Sequence, residues 1–159
     1  MGRGWKYIYV ACDKENCSMN NMLESLSITI KSWVVAAVTG NPIVFFDRPL
    51  PTVESLPRYC IIGPLTDNDT PFLGSKIDSS RSGELHELTY DIEVWSKNGK
   101  EAITQMDKIH HYILDNRNLQ EANFIHNVAI IGMNYRYESE VKIHRRILTI
   151  RVYYLYDRS

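Results

Sequence analysis

Asp91 and Glu93 are the first residues worth testing for chemistry. They sit two apart in an alternating stretch, so a strand would put both carboxylates on one face. Paired carboxylates serve glycoside hydrolysis and metal-dependent nucleases. A nuclease also needs a nearby lysine and a third acid, and Lys97 is the only close basic residue. A strand side that faces solvent or another subunit explains the pair without any reaction, and we favour it.

The other reactive residue types are more scattered. His110 and His111 are adjacent in a helical stretch, so their backbone directions diverge by about 100°. That divergence argues against a shared metal, and His86, His126 and His144 are far from them in sequence. Cys12 and Cys17 are spaced C-x4-C with no second pair to complete four zinc ligands. Cys60 lies in an apolar run and reads as a small buried side chain. The glycine-rich phosphate loops, the G-x-S-x-G elbow, HExxH and the EF-hand loop are all missing from the sequence. No catalytic residue, cofactor site or metal site is expected.

Lys142, His144, Arg145, Arg146 and Arg151 crowd the last apolar stretch, interleaved with Tyr135, Tyr137, Tyr153, Tyr154 and Tyr156. Cations among aromatics suit single-stranded nucleic acid. They equally suit a protein interface, where Tyr and Arg are enriched. The net charge of -1 offers no global attraction for nucleic acid or a membrane surface. The interface reading is therefore preferred, and sequence-specific nucleic-acid binding is not expected.

The elements that must carry these residues are legible. Leu88, Tyr90, Ile92 and Val94 alternate with Thr89, Asp91 and Glu93, which is a half-buried strand. After Ser96-Lys97-Asn98-Gly99 the period changes, and Ala102, Met106, Ile109 and Ile113 form one helical stripe. Upstream, Leu23, Leu26, Ile30, Trp33, Val34 and Ala37 predict a helix over 22–38, capped by Asn20 or Asn21 and stopped at Gly40-Asn41-Pro42. Strands are expected at 43–47 and 58–63, the second ended by Gly63-Pro64. Residues 128–137 and 141–156 read as a closing antiparallel hairpin. The expected fold is α+β: an antiparallel or mixed β-sheet of about five strands with two helices packed on one face.

With 159 residues the chain is long enough for a single core. Residues 1–19 read as an N-terminal arm or extra strand, and 20–159 as one domain. No apolar run reaches the roughly 20 residues a membrane helix needs. Charged residues soon after Val10 do not fit a signal peptide, so the cytoplasm is the expected compartment. Residues 65–83 are rich in turn formers and read as a long loop, either solvated or ordering against a partner through Asp67, Asp69, Phe72, Lys76 and Arg81.

A family resemblance attaches to these stretches. The run "YDIEVWSKNGKEA" followed by an amphipathic helix resembles tail terminator (tail completion) proteins of long-tailed bacteriophages. "YRYESEVKIHRRILTIRVYYL" is similar to that family's closing hairpin, and "NPIVFFDRPLP" falls where its first strand follows an opening helix. The resemblance spans residues 20–156 and leaves 1–19 without a counterpart. It implies a non-enzymatic virion protein that forms a ring, commonly a hexamer, on the tail tube. Its partners would be the tail tube protein and a neck or head-completion protein, with DNA passing through the ring. The implied location is the virion tail and neck, after assembly in the host cytoplasm. Another neck or head-completion protein is the alternative within that class. A ring needs subunit contacts, and the expected ones set Asp91 and Glu93 against Arg145, Arg146 or Arg151 of a neighbour, with Tyr153 beside them.

Overall fold

A computed structural model describes residues 19–40, 42–47, 57–69, 83–116 and 125–157. In chain order the elements are α1 (Met19–Ala37), β1 (Val44–Phe46), β2 (Arg58–Asp69), β3 (Gly83–Ser96), α2 (Gly99–Asn116), β4 (Ile125–Glu138) and β5 (Ile143–Asp157). The five strands make one open sheet in the order β1-β2-β3-β5-β4. β1 runs parallel to β2, and every other pairing is antiparallel. The sheet is therefore mixed, and the fold is α+β as the sequence pattern predicts.

Both helices cover one face. The alternating side of β3, Leu88, Tyr90, Ile92 and Val94, is fully buried there. It meets Leu148, Ile150, Val152 and Tyr154 of β5, Leu26, Ile30 and Val34 of α1, and Met106, Ile109 and Ile113 of α2. The helical stripe Ala102, Met106, Ile109 and Ile113 is the buried side of α2, as its spacing requires. α1 lies over β1 and β2, and α2 over β3 and β5. Among the described residues no helix is long and apolar enough to cross a membrane.

The start of α2 is built from side chains that the turn supplies. Asn98 Oδ1 accepts from the backbone N–H groups of Lys100 (3.0 Å) and Glu101 (3.4 Å), satisfying first-turn donors. Ser96 Oγ accepts from the Asn98 N–H at 3.0 Å and donates to Glu101 Oε2 at 2.5 Å. The strand end, the turn and the helix start are thus tied together.

Three expectations change. α1 begins at Met19, so Asn20 and Asn21 lie inside its first turn rather than ahead of it. β2 does not stop at Gly63-Pro64; it continues to Asp69 across a register shift between Ile62 and Thr66. Gly63 carries that shift at φ 139°, and a Cβ there would meet Tyr90 Cδ1 at 2.9 Å. Pro64 is tolerated because β1 pairs only with Tyr59–Ile61, so among the described residues that side of β2 has no strand partner at residue 64. Residues 65–69 are therefore strand, not loop. Their polar composition was outweighed by a long neighbour: Thr66 pairs with Thr89 and Asp69 with His86.

Candidate interaction surface

β3 and β5 face each other along their whole length, Gly83 opposite Asp157 and Ser96 opposite His144. Strand alternation then sorts the basic cluster of β5. Arg145 and Arg151 fall on the face away from the helices, and His144 and Arg146 on the helix side. Lys142 is in the turn at φ 55°, outside the strand. The cluster that looks continuous in sequence is two separate groups.

On the outer face, Glu93 is fully buried and Arg145 is 6% exposed. Arg145 Nη2 donates to both Glu93 oxygens, at 2.9 and 3.0 Å, and Nη1 donates to Glu138 at 2.5 Å. Trp95 Nε1 donates to Glu93 Oε2 at 2.7 Å, and the guanidinium lies 5.0 Å from the Trp95 ring centre. Burial by itself lowers the Arg145 pKa, but its bonds to Glu93 and Glu138 and their charges outweigh that and raise it. The group stays cationic. Cys60 is buried beside it with Trp95 and Ile143. Within the chain, then, Glu93 and Arg145 take each other as partners and join β3, β5 and the end of β4.

The neighbouring residues are matched in the same way. Asp91 accepts from Thr149 Oγ1 at 2.7 Å, and Arg151 forms an ion pair with Glu87 at 2.6 Å. Asp91, Arg151 and Tyr153 remain half-buried at the surface. Asp91 and Glu93 share a face, but Glu93 is committed to a guanidinium and an indole. A carboxylate held in that way is a structural anchor rather than an available base or metal ligand. Of the residues proposed for the loop, Asp67 lies in β2 and contacts His86 Nδ1 at 3.1 Å. Asp69 is the last residue of β2, and Phe72, Lys76 and Arg81 lie outside the described residues.

β4 shows a second kind of surface. Among the described residues it is an edge strand, bonded to β5 on one side only. Ile131, Met133, Tyr135 and Tyr137 are each close to half exposed. Simple alternation would put Ile131 on the same side as Met133, Tyr135 and Tyr137, but a register shift between Ile130 and Gly132 breaks the period there, so Val128 and Ile130 share the side of Met133 instead. Met133, Tyr135 and Tyr137 pair with Leu148, Arg146 and His144, which puts them on the helix side of the sheet. Tyr135 Oη and His144 Nδ1 are 2.8 Å apart, and the Arg146 guanidinium lies 4.3 Å from the Tyr135 ring centre. A row of half-exposed aromatic and apolar side chains with a stacked arginine, on an edge strand, has the composition of a protein contact surface.

One further group lies on α2. Asp107, His110 and His111 bring their ligand atoms within 4.8 Å of one another. The divergence of adjacent histidines is real at the backbone, but imidazole reach overcomes it. The D-x-x-H-H spacing, with Asp107 four residues before His111, is the signal that marks it.

No family model matches the chain, and no curated protein sequence matches it. Among solved structures, the sheath/tube terminator of an extracellular contractile injection system (PVC, extended state) is similar, with a TM-score of 0.62 at 16% identity over 86% of this chain. The chain spans 57% of that protein's length. A chain from the virion of a native gene transfer agent particle matches at a TM-score of 0.45 and 12% identity, over 79% of this chain and 91% of that one. The first likeness is one of fold: this chain has the fold of a terminator-type protein.

Proposed function

We propose that the chain is a structural virion protein, a subunit of a ring that caps a phage-type tail tube, ends its assembly and joins it to the head or neck. The observation that carries this reading is the fold likeness to a sheath/tube terminator at a TM-score of 0.62. It converges with the resemblance to phage tail terminators that the sequence carries in its strand–helix unit and closing hairpin. Fold alone does not assign function, so the surface matters too. The half-exposed row on β4 supports assembly, and the commitment of Glu93 to Arg145 supports a role without catalysis.

In this proposal a closed homo-oligomer, with six-fold symmetry as its expected form, uses heterologous contacts. One side of each contact is the Tyr135–Arg146 group; Asp91, Arg151 and Tyr153 are available on the opposite face. Its partners are the tube protein below and a neck protein above. The reading is tested by deleting the gene and measuring tails by electron microscopy. Tails of uncontrolled length without heads are expected. Tails of normal length on intact particles would overturn it. In solution or on particles, Arg146→Glu is expected to prevent ring formation, and an intact ring would remove Arg146 from the contact.

A further inference from the structure

The buried side of α2 is accounted for by the core; its exposed side is not. Asp107, His110 and His111 follow one another there at i, i+3 and i+4, with Asp107 and His111 exposed and His110 half-buried. His111 Nε2 lies 3.5 Å from Asp107 Oδ1, and both side chains are about two-thirds exposed, at 65% and 64%. The His110 and His111 ring centres are 5.8 Å apart and tilted by 54°. All three ligand atoms fall within 4.8 Å of one another, on a backbone already fixed by an 18-residue helix.

We propose that Asp107, His110 and His111 form a site for one divalent transition-metal ion of the zinc class. Two imidazole nitrogens and one carboxylate oxygen are a borderline donor set. It suits zinc, cobalt or nickel better than magnesium or calcium, which prefer all-oxygen shells. Zinc takes nitrogen and oxygen donors at about 2.0–2.2 Å. The three donors must therefore draw in from their present spacing, and side-chain rotation at an exposed helix surface supplies that movement without moving the backbone. With one carboxylate and two neutral imidazoles the bound ion keeps a net positive charge. Three protein ligands fill three tetrahedral positions, leaving the fourth open to water or to a donor from outside the chain. The site does not depend on the ring proposal, because it needs only α2.

The test is calorimetric titration of the full chain with zinc chloride, alongside the visible absorption spectrum with cobalt(II). One saturable site of micromolar affinity and a tetrahedral cobalt band are expected. The double variant His110→Ala/His111→Ala should lose the band and weaken binding by at least about tenfold, which corresponds to about 1.4 kcal/mol. Asp107→Asn should fall between wild type and the double variant. Circular dichroism without metal should be the same for all three proteins. Indistinguishable titrations of wild type and the double variant would place the ion elsewhere, for instance at Cys12 and Cys17, and overturn the assignment. Failure of the wild-type chain to saturate at millimolar zinc would overturn it as well.

Discussion

β3 and β4 carry the same alternating signal and meet opposite fates. In β3 the apolar side, Leu88 to Val94, is sealed under both helices. In β4 the row from Met133 to Tyr137 lies on the same face of the sheet yet stays about half exposed. The difference is coverage. α1 sits over β1 and β2, and α2 over β3 and β5, so most of the fourteen-residue edge strand extends beyond their reach. Among the residues whose burial is described, only Val128 is buried in its core-facing part, with Ile130 packed beside it. Alternation tells which side chains share a face; it does not tell whether anything lies on top of them. An apolar row left open on an edge strand is a cost to a lone subunit and a resource for an assembled one.

The largest contrast comes from truncating each row. Ile109→Ala under the sheet should cost about 3–4 kcal/mol of unfolding free energy in urea, because it opens a cavity in a closed core. Met133→Ala in β4 should change subunit stability by no more than about 0.5 kcal/mol, while weakening ring formation in sedimentation. Equal destabilisation by the two would show that β4 is covered within the subunit, and would end the comparison.

The outer face gives the next effect. Glu93→Ala leaves the Arg145 guanidinium buried with Glu138 as its remaining carboxylate partner. A loss of about 3 kcal/mol is expected, because the buried guanidinium keeps only one of its two carboxylates and the Trp95 N–H loses its acceptor. Glu93→Ala with Arg145→Met should recover part of it, and the double-mutant cycle measures the coupling.

Alkali should act on the covered half before the exposed one. The Tyr59 hydroxyl is pushed up to about 12, first by burial and then by the charge of Glu101. An unfolded tyrosine ionises near 10. The folded state therefore holds this proton more tightly. Its contribution to stability is complete below pH 10 and is lost as the pH rises from 10 to about 12, up to ~2 kcal/mol. The melting temperature should fall over that interval, and Tyr59→Phe should flatten the fall.

The smallest effect is local. Asn98→Ala removes the cap of α2 and should cost about 1 kcal/mol, measurable as a lower urea midpoint with an unchanged slope. Because the cap lies at the junction of β3 and α2, the loss should leave the ring contact proposed for the β4 edge unchanged.

The strand–turn–helix unit was readable because its signals are local. Leu88 to Val94 at period two, a polar turn and a stripe at 102, 106, 109 and 113 need no distant partner to be recognised. The α+β class follows from the order of such units. β2 was misread past Ile62, because Gly63-Pro64 carries the strongest local stop signal. Only the length of β3 shows that pairing resumes at Thr66. The Glu93–Arg145 pair was beyond reach for a related reason: the two residues are 52 positions apart, and their contact depends on the β3–β5 register.

By itself, then, the sequence determines which side chains of β3 share a face, which stripe of α2 is buried, where α2 starts, and the class of fold. Those are consequences of backbone periodicity and capping, which act over a few residues. The tertiary structure decides the rest. It buries Glu93 against Arg145, carries β2 past Gly63-Pro64 along β3, and leaves the β4 row open. Each depends on what stands opposite or above a residue, and that is settled by strand register, side-chain reach and the limited area two helices can cover.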